Sequence, residues 1–184
     1  ITERLKSEEN LRESEEKFRA AFLASPDLLS ITSLSDGTYV DVNEAFIRTS
    51  GYKREEIIGK TAQNLGIWNS PDERKKMTEI LKEKSSFINF EAEFRLKGGK
   101  TIHGLMSASI LTIGGKPHLL AFTRDITDRK VMEDALRYSE ELYRTVVSAS
   151  ADGIILRGKT GKILTWNKAA ERIFGISSEQ AFDQ

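Results

Sequence analysis

The chain has 184 residues, with 28 Lys+Arg against 28 Asp+Glu and a formal net charge of zero. That balance lacks the basic excess of a nucleic-acid binder and the polybasic run of a membrane-surface segment. Cys is absent and only His103 and His118 are present, which excludes disulfides, thiolate metal sites, thiol nucleophiles and a histidine-built metal centre. Apolar runs are only a handful of residues long, so nothing reads as a membrane span or a signal peptide. The length suits one full domain with part of a second. The expectation is a soluble, cytoplasmic piece of a longer protein, since the helical pattern is already under way at Ile1.

Residues 1–24 are dense in Glu, Lys and Arg, with Leu11, Phe18 and Phe22 on one helical stripe. Residues 28–34 and 38–42 are short β-type segments joined by the hairpin signal Ser35-Asp36-Gly37. Asn43 is placed to cap a short helix, Glu44 to Ser50, ending at Gly51. Glu55 to Ile58 make a further turn closed by Gly59. Ser70-Pro71-Asp72 opens a longer helix with Met77, Ile80 and Leu81 on one side. From Phe87 the period becomes two: Ile88, Phe90, Ala92, Phe94 and Leu96 alternate with polar residues. Gly98-Gly99 and Gly114-Gly115 then set off two more strands, Thr101 to Ile113 and His118 to Asp125. Residues 128–147 return to helical period, with Val131, Ala135, Leu142 and Val146 each followed by a second apolar residue, a stripe suited to a two-helix seam. The predicted class is α+β, a five-stranded antiparallel sheet with small helices on one face and amphipathic, coiled-coil-like helices at both ends.

The chain also repeats itself. Ser14-Glu15-Glu16 with Phe18-Arg19 matches Ser139-Glu140-Glu141 with Tyr143-Arg144, and Ala24-Ser25-Pro26-Asp27 matches Ala149-Ser150-Ala151-Asp152. One deletion later, Val42-Asn43-Glu44-Ala45 matches Trp166-Asn167-Lys168-Ala169, and Gly51 matches Gly175. Four segments follow: a linker helix at 1–24, a complete domain at 25–127, a linker helix at 128–147, and the start of a second, truncated domain at 148–184.

The motifs Asp41-Val42-Asn43-Glu44-Ala45-Phe46, Thr49-Ser50-Gly51-Tyr52, Glu55-Glu56-Ile57-Ile58-Gly59-Lys60 and Arg124-Asp125-Ile126-Thr127-Asp128-Arg129-Lys130 resemble PAS domains, the sensory boxes of bacterial and archaeal signal-transduction proteins. The resemblance implies a multi-PAS sensor histidine kinase of a two-component phosphorelay. Its helices would pair as a homodimer and relay ligand or partner state to a C-terminal kinase; a diguanylate cyclase output and a ligand-free structural spacer are the alternatives. It also implies a transmission role for Asp125 and Thr127. Locally, Thr127 is placed to cap the outgoing helix, Asp128 adds negative charge to its first turn, and Asp125 is free to pair with a cation.

A PAS ligand would sit between the sheet and the small helices. Alternation puts Phe90, Ala92 and Phe94 inward, with Met106, Ala108, Leu119 and Ala121 on the next strands. Phe46, Leu65 and Trp68 come from the helical side. Ligand-lining candidates are therefore Phe46, Trp68, Phe90, Phe94, Met106, Ala108, Leu119 and Ala121, each also serviceable as plain core. A cysteinyl flavin has no Cys to use, and His-ligated haem has no His within 71–84. The expectation is no metal, and at most a small uncharged or weakly polar organic molecule or a non-covalent flavin. No nucleic-acid or direct membrane contact is expected; a membrane anchor would lie elsewhere in the full-length protein.

Gly153 to Thr160 satisfies the phosphate-loop pattern by letters, but its Ile-Ile-Leu spacer is β-forming and Gly161-Lys162-Ile163-Leu164 reads as another strand rather than a helix. No nucleophile–base set, phosphorylatable His on a dimerisation helix or cyclase signature is legible. The segment reads as non-catalytic within a larger kinase.

Overall fold

A computed structural model describes residues 2–182. Ile1, Asp183 and Gln184 fall outside the described residues, as does the side chain of Leu11 in the first predicted stripe. The chain divides into two compact units, residues 1–128 and 129–184.

In the first unit, helix α1 (Thr2–Ala24) leads into β1 (Leu28–Ser33) and β2 (Tyr39–Val42). Three helices follow: α2 (Glu44–Ser50), α3 (Arg54–Ile57) and α4 (Pro71–Lys84). Strands β3 (Ser86–Arg95), β4 (Thr101–Ile113) and β5 (Lys116–Asp125) complete the unit. The five strands pair antiparallel in the order β2-β1-β5-β4-β3, the α+β architecture the pattern predicts. The caps also fall where the residue types put them. The Asn43 side chain accepts the Phe46 N–H, Gly51 takes the left-handed conformation at φ 75°, and Ser70 caps α4 with Pro71 in its first turn.

Alternation divides the sheet into two faces. Leu28, Tyr39, Phe94, Ile102, Met106, Ala108, Leu119 and Ala121 belong to the main core, with Phe46, Ile57, Met77 and Leu81 from the helical side. On the other face Leu29, Ile31 and Leu120 form a smaller cluster under Phe22 of α1. The predicted α1 stripe is thus used in part: Phe22 is buried against the sheet while Phe18, stacked on it at 5.8 Å, remains exposed.

One strand departs from simple alternation. Asn89 is left-handed, at φ 56°, and the β3–β4 register shifts between Phe87 and Phe90. This bulge gives β3 one extra residue. Its consequence is that Phe87, not the predicted Ile88, turns to the core, and Ile88 is 81% exposed.

Gly104 supplies the other constraint. It faces the core from β4, and a Cβ there would lie 2.5 Å from Phe94 Cε2 and 2.8 Å from Thr123 Cγ2. The Phe94 ring therefore lies close against bare backbone, with the Trp68 ring tilted beside it at 5.0 Å.

The second unit contains α5 (Thr127–Ala149) from Arg129 onward, a two-stranded sheet of β6 (Ile155–Arg157) and β7 (Ile163–Trp166), and helices α6 (Lys168–Phe174) and α7 (Ser178–Phe182). β6 runs through the spacer of the phosphate-loop pattern. The Gly158 N–H then bonds to Lys162 O and the Gly161 N–H to Gly158 O, closing a hairpin where a phosphate loop needs a helix. Among the described residues no helix is long and apolar enough to cross a membrane.

The close approach at Gly104 generates a stability prediction. Gly104→Ala is expected to destabilise the first unit by about 1–3 kcal/mol through overpacking against Phe94, measured by urea unfolding. Adding Phe94→Leu should recover part of the loss.

Candidate functional site

The inner face of the sheet meets the helices around two voids. A small cavity of about 60 Å³ is lined by Ser30, Tyr39, Phe46, Trp68, Phe94, Met106 and Thr123, among others. Beside it a more open cleft of about 330 Å³ lies between the β1–β2 hairpin, α4 and the inner face of β4 and β5. Ala121, which stands opposite Ala108 in the β4–β5 register, joins Leu119 and Met106 in its lining. Of the sequence candidates, Phe46, Trp68, Phe94 and Met106 line the inner cavity, and Trp68, Met106, Leu119 and Ala121 line the cleft, while Ala108 lines neither and is packed in the core. Phe90 lines neither. Beyond the Asn89 bulge it lies half-buried, edge-on to Phe87 at 5.7 Å.

Two hydrogen-bonded junctions flank this core. At the first, the fully buried Asn43 does more than cap α2. Its Oδ1 accepts the N–H groups of Leu29 and Phe46 at 3.0 and 2.9 Å. Its Nδ2 donates to the carbonyls of Phe22, Ser25 and Asp27. One side chain thereby joins the end of α1, the start of β1 and the start of α2.

At the second junction β5 passes into α5. Arg124 donates from Nε and Nη2 to the two carboxylate oxygens of Asp27, at 3.0 and 2.8 Å, so the residues just before β1 and just before α5 are clamped together. Asp125 Oδ1 accepts the Thr127 N–H at 2.9 Å, so its local partner is an amide rather than the expected cation. The Thr127 hydroxyl accepts the His103 N–H at 2.9 Å, and the Ile126 N–H donates to His103 O. The expectation that Thr127 caps its own helix is corrected: its oxygen takes an N–H of β4, and Asp125 serves the first turn.

The first junction recurs in the second unit. Asn167 Oδ1 accepts the N–H groups of Ile154 and Ala170, at 2.8 and 2.9 Å, while Nδ2 donates to the carbonyls of Val147 and Asp152. Val147 stands to Asn167 nearly as Phe22 stands to Asn43, one residue of spacing apart.

A PAS domain family model matches residues 27–128, and a PAS fold model matches residues 141–184. The chain belongs to the PAS domain family. The methyl sulfide methyltransferase-associated sensor of Methanosarcina acetivorans is 36% identical over 138 residues, covering 73% of this chain and 13% of that protein. Sporulation kinase E of Bacillus subtilis is 29% identical over 180 residues, covering 98% of this chain and 24% of that protein. The chain thus spans a quarter or less of the length of these curated relatives. Among solved structures, an RNA-binding light-oxygen-voltage receptor aligns with a TM-score of 0.59 at 17% identity, covering 69% of this chain and 37% of that one; this likeness concerns the fold.

In this PAS chain, sequence reasoning missed Ser30, Tyr39 and Arg74 beside the cleft and the reach of Asn43 to α1. Arg74 was legible: it lies three residues before Met77 and seven before Leu81, on the core-facing side of α4. The repeat of Asn43 at Asn167 with the preceding helix also repeated was the available signal for the α1 bond.

The Asn43 junction is testable by two substitutions. Asn43→Ala leaves the Leu29 and Phe46 N–H groups unpaired, and a loss of about 2–4 kcal/mol is expected in urea unfolding of the first unit. Asn43→Asp keeps the acceptor but sets a buried carboxylate oxygen against the carbonyls of Phe22, Ser25 and Asp27; it should cost at least as much and speed amide exchange near residues 20–27.

Proposed function

We propose that this chain is the cytoplasmic sensory and dimerisation region of a signal-transduction histidine kinase, non-catalytic in itself. In this reading residues 1–24 and 128–147 are linkers that pair with those of a second copy and pass ligand or partner state to a C-terminal output domain. The observation that carries it is the contrast between the hydrogen-bonded start of α5 and the uncovered apolar stripe that follows along it. Its start is tied to the sheet through Asp125, Thr127 and His103, while none of its residues is buried. Val131, Met132, Leu136, Leu142 and Val146 are each more than half exposed, an apolar stripe at seam spacing that a second α5 would cover. The kinship with sporulation kinase E and with a named sensor supports the kinase setting.

A relay of this kind works as a two-state element whose helix register or twist is biased by what the sheet senses. Asp125 and Thr127 are its positioning residues: a change in the sheet that moves His103 moves the first turn of α5.

Sedimentation equilibrium should find the 184-residue chain dimeric at high micromolar concentration, and Leu136→Glu with Leu142→Glu should make it monomeric without unfolding the first unit; a monomeric parent chain would overturn the reading. Thr127→Val removes the acceptor for the His103 N–H. It is expected to lower stability by about 1–2 kcal/mol and to accelerate amide exchange selectively in the first turns of α5.

A further inference from the structure

We propose that the cleft between the β1–β2 hairpin, α4 and the sheet binds a small amphipathic carboxylate, its two oxygens held by Arg74 and the Tyr39 hydroxyl and its apolar body lying on Met106, Leu119 and Ala121. The proposal rests on the sensory reading above and names the ligand class for it.

The expectation of an uncharged ligand follows from the apolar candidates alone, and Arg74 changes it. Its half-buried guanidinium lines the cleft, and its side-chain hydrogen bond is a long one, 3.4 Å to Gln63 Oε1. Among the described residues it has no carboxylate within salt-bridge distance, whereas Arg54 pairs with Asp41, Arg124 with Asp27 and Lys97 with Glu56. A guanidinium presents a planar fork of donors matched to a two-oxygen anion.

Tyr39 is the second observation, independent of the first. It is 6% exposed, with its ring edge-on to Phe46 at 5.6 Å, and it lines both the cavity and the cleft. Its hydroxyl has no hydrogen-bond partner among the described residues, and no wholly buried side-chain polar atom in the described residues lacks one. The phenol oxygen therefore opens onto the void. Buried phenols ordinarily find a partner. Burial pushes its pKa up, with the positive charge of Arg74 acting in the opposite direction, so at neutral pH it stands as a donor. The Ser30 hydroxyl, on the same lining, is likewise without a partner among the described residues.

The charge near the cleft is otherwise accounted for. Asp36 lines the mouth, but its Oδ1 accepts both the N–H and the hydroxyl of Thr38. Glu73, one residue before Arg74, accepts the Glu93 N–H at 3.0 Å. One cation above an apolar floor fits a monoanion with a short hydrocarbon body, and about 330 Å³ is room for a small metabolite.

The test uses the whole chain, with sodium hexanoate as probe and 1-hexanol as its uncharged counterpart, followed by two-dimensional amide NMR. Hexanoate should give saturable shifts at Tyr39, Arg74, Leu119 and Ala121, and hexanol should bind at least about tenfold more weakly, the ratio that 1.4 kcal/mol represents. Arg74→Gln should weaken hexanoate by about tenfold or more, as loss of a charged hydrogen bond does, and leave hexanol unchanged. Tyr39→Phe should weaken hexanoate several-fold and serves if Arg74→Gln perturbs the fold. Absence of saturable shifts up to about 10 mM hexanoate, far weaker than the 1 mM reference affinity, overturns the proposal. So does equal binding of the two probes, or indifference of hexanoate to both substitutions. Either result leaves the dimer measured by sedimentation standing, so failure of the ligand class and failure of the sensory-dimer reading are separable.

Discussion

The first unit is organised around a single buried amide. An Asn side chain removed from water needs partners for both its carbonyl oxygen and its NH₂, and each one missing costs on the order of 1–3 kcal/mol. Asn43 meets that demand with two acceptor and three donor contacts drawn from the end of α1, the start of β1 and the start of α2. The requirement is directional, unlike that of a buried Leu. It fixes how α1 arrives, where β1 begins and where α2 starts. Asn167 imposes the same geometry on the second unit.

Around that anchor the sheet distributes its side chains by two local irregularities. The left-handed Asn89 resets the pleat of β3, so that Phe87 and Phe94, whose odd separation would put them on opposite faces of a regular strand, both reach the core. Bare backbone at Gly104 then admits the Phe94 ring. Together they fill the β3 end of the inner face with aromatic carbon. The small side chain of Ala121 on β5 leaves space nearer β1 and α4 instead, so the open cleft is displaced toward Arg74 and Tyr39. Packing at one end of the sheet decides where room remains at the other.

Much of this was legible in the residues. Asn43, Gly51, Ser70 and Pro71 mark helix ends because capping and left-handed turns are local physics, decided within a few residues. The five strands follow from alternation and paired glycines, and the bounds of β4 coincide with the reading. What escaped was non-local. Ile88 and Phe87 exchange places because nothing in the alternation announces a bulge. Thr127 carries good capping chemistry but lies against His103 on another strand, and only the tertiary pairing decides which N–H its oxygen takes. The spacing of Arg74 from Met77 and Leu81 sets its side of α4, but the cleft it lines exists only once the hairpin and the sheet are placed opposite it.

The double role of Asn43 also bears on where one module of such a chain ends and the next begins. A boundary drawn at the first strand would leave the carbonyls of Phe22 and Ser25 on one side of the cut and the amide that binds them on the other. The same holds for Val147 and Asn167. The transplantable cassette therefore carries the last turns of its incoming helix with it. Hybrid receptors assembled from chains of this kind are best spliced within the exposed middle of a linker helix, several residues ahead of the Phe22 or Val147 position, so that each graft brings its own hinge pin.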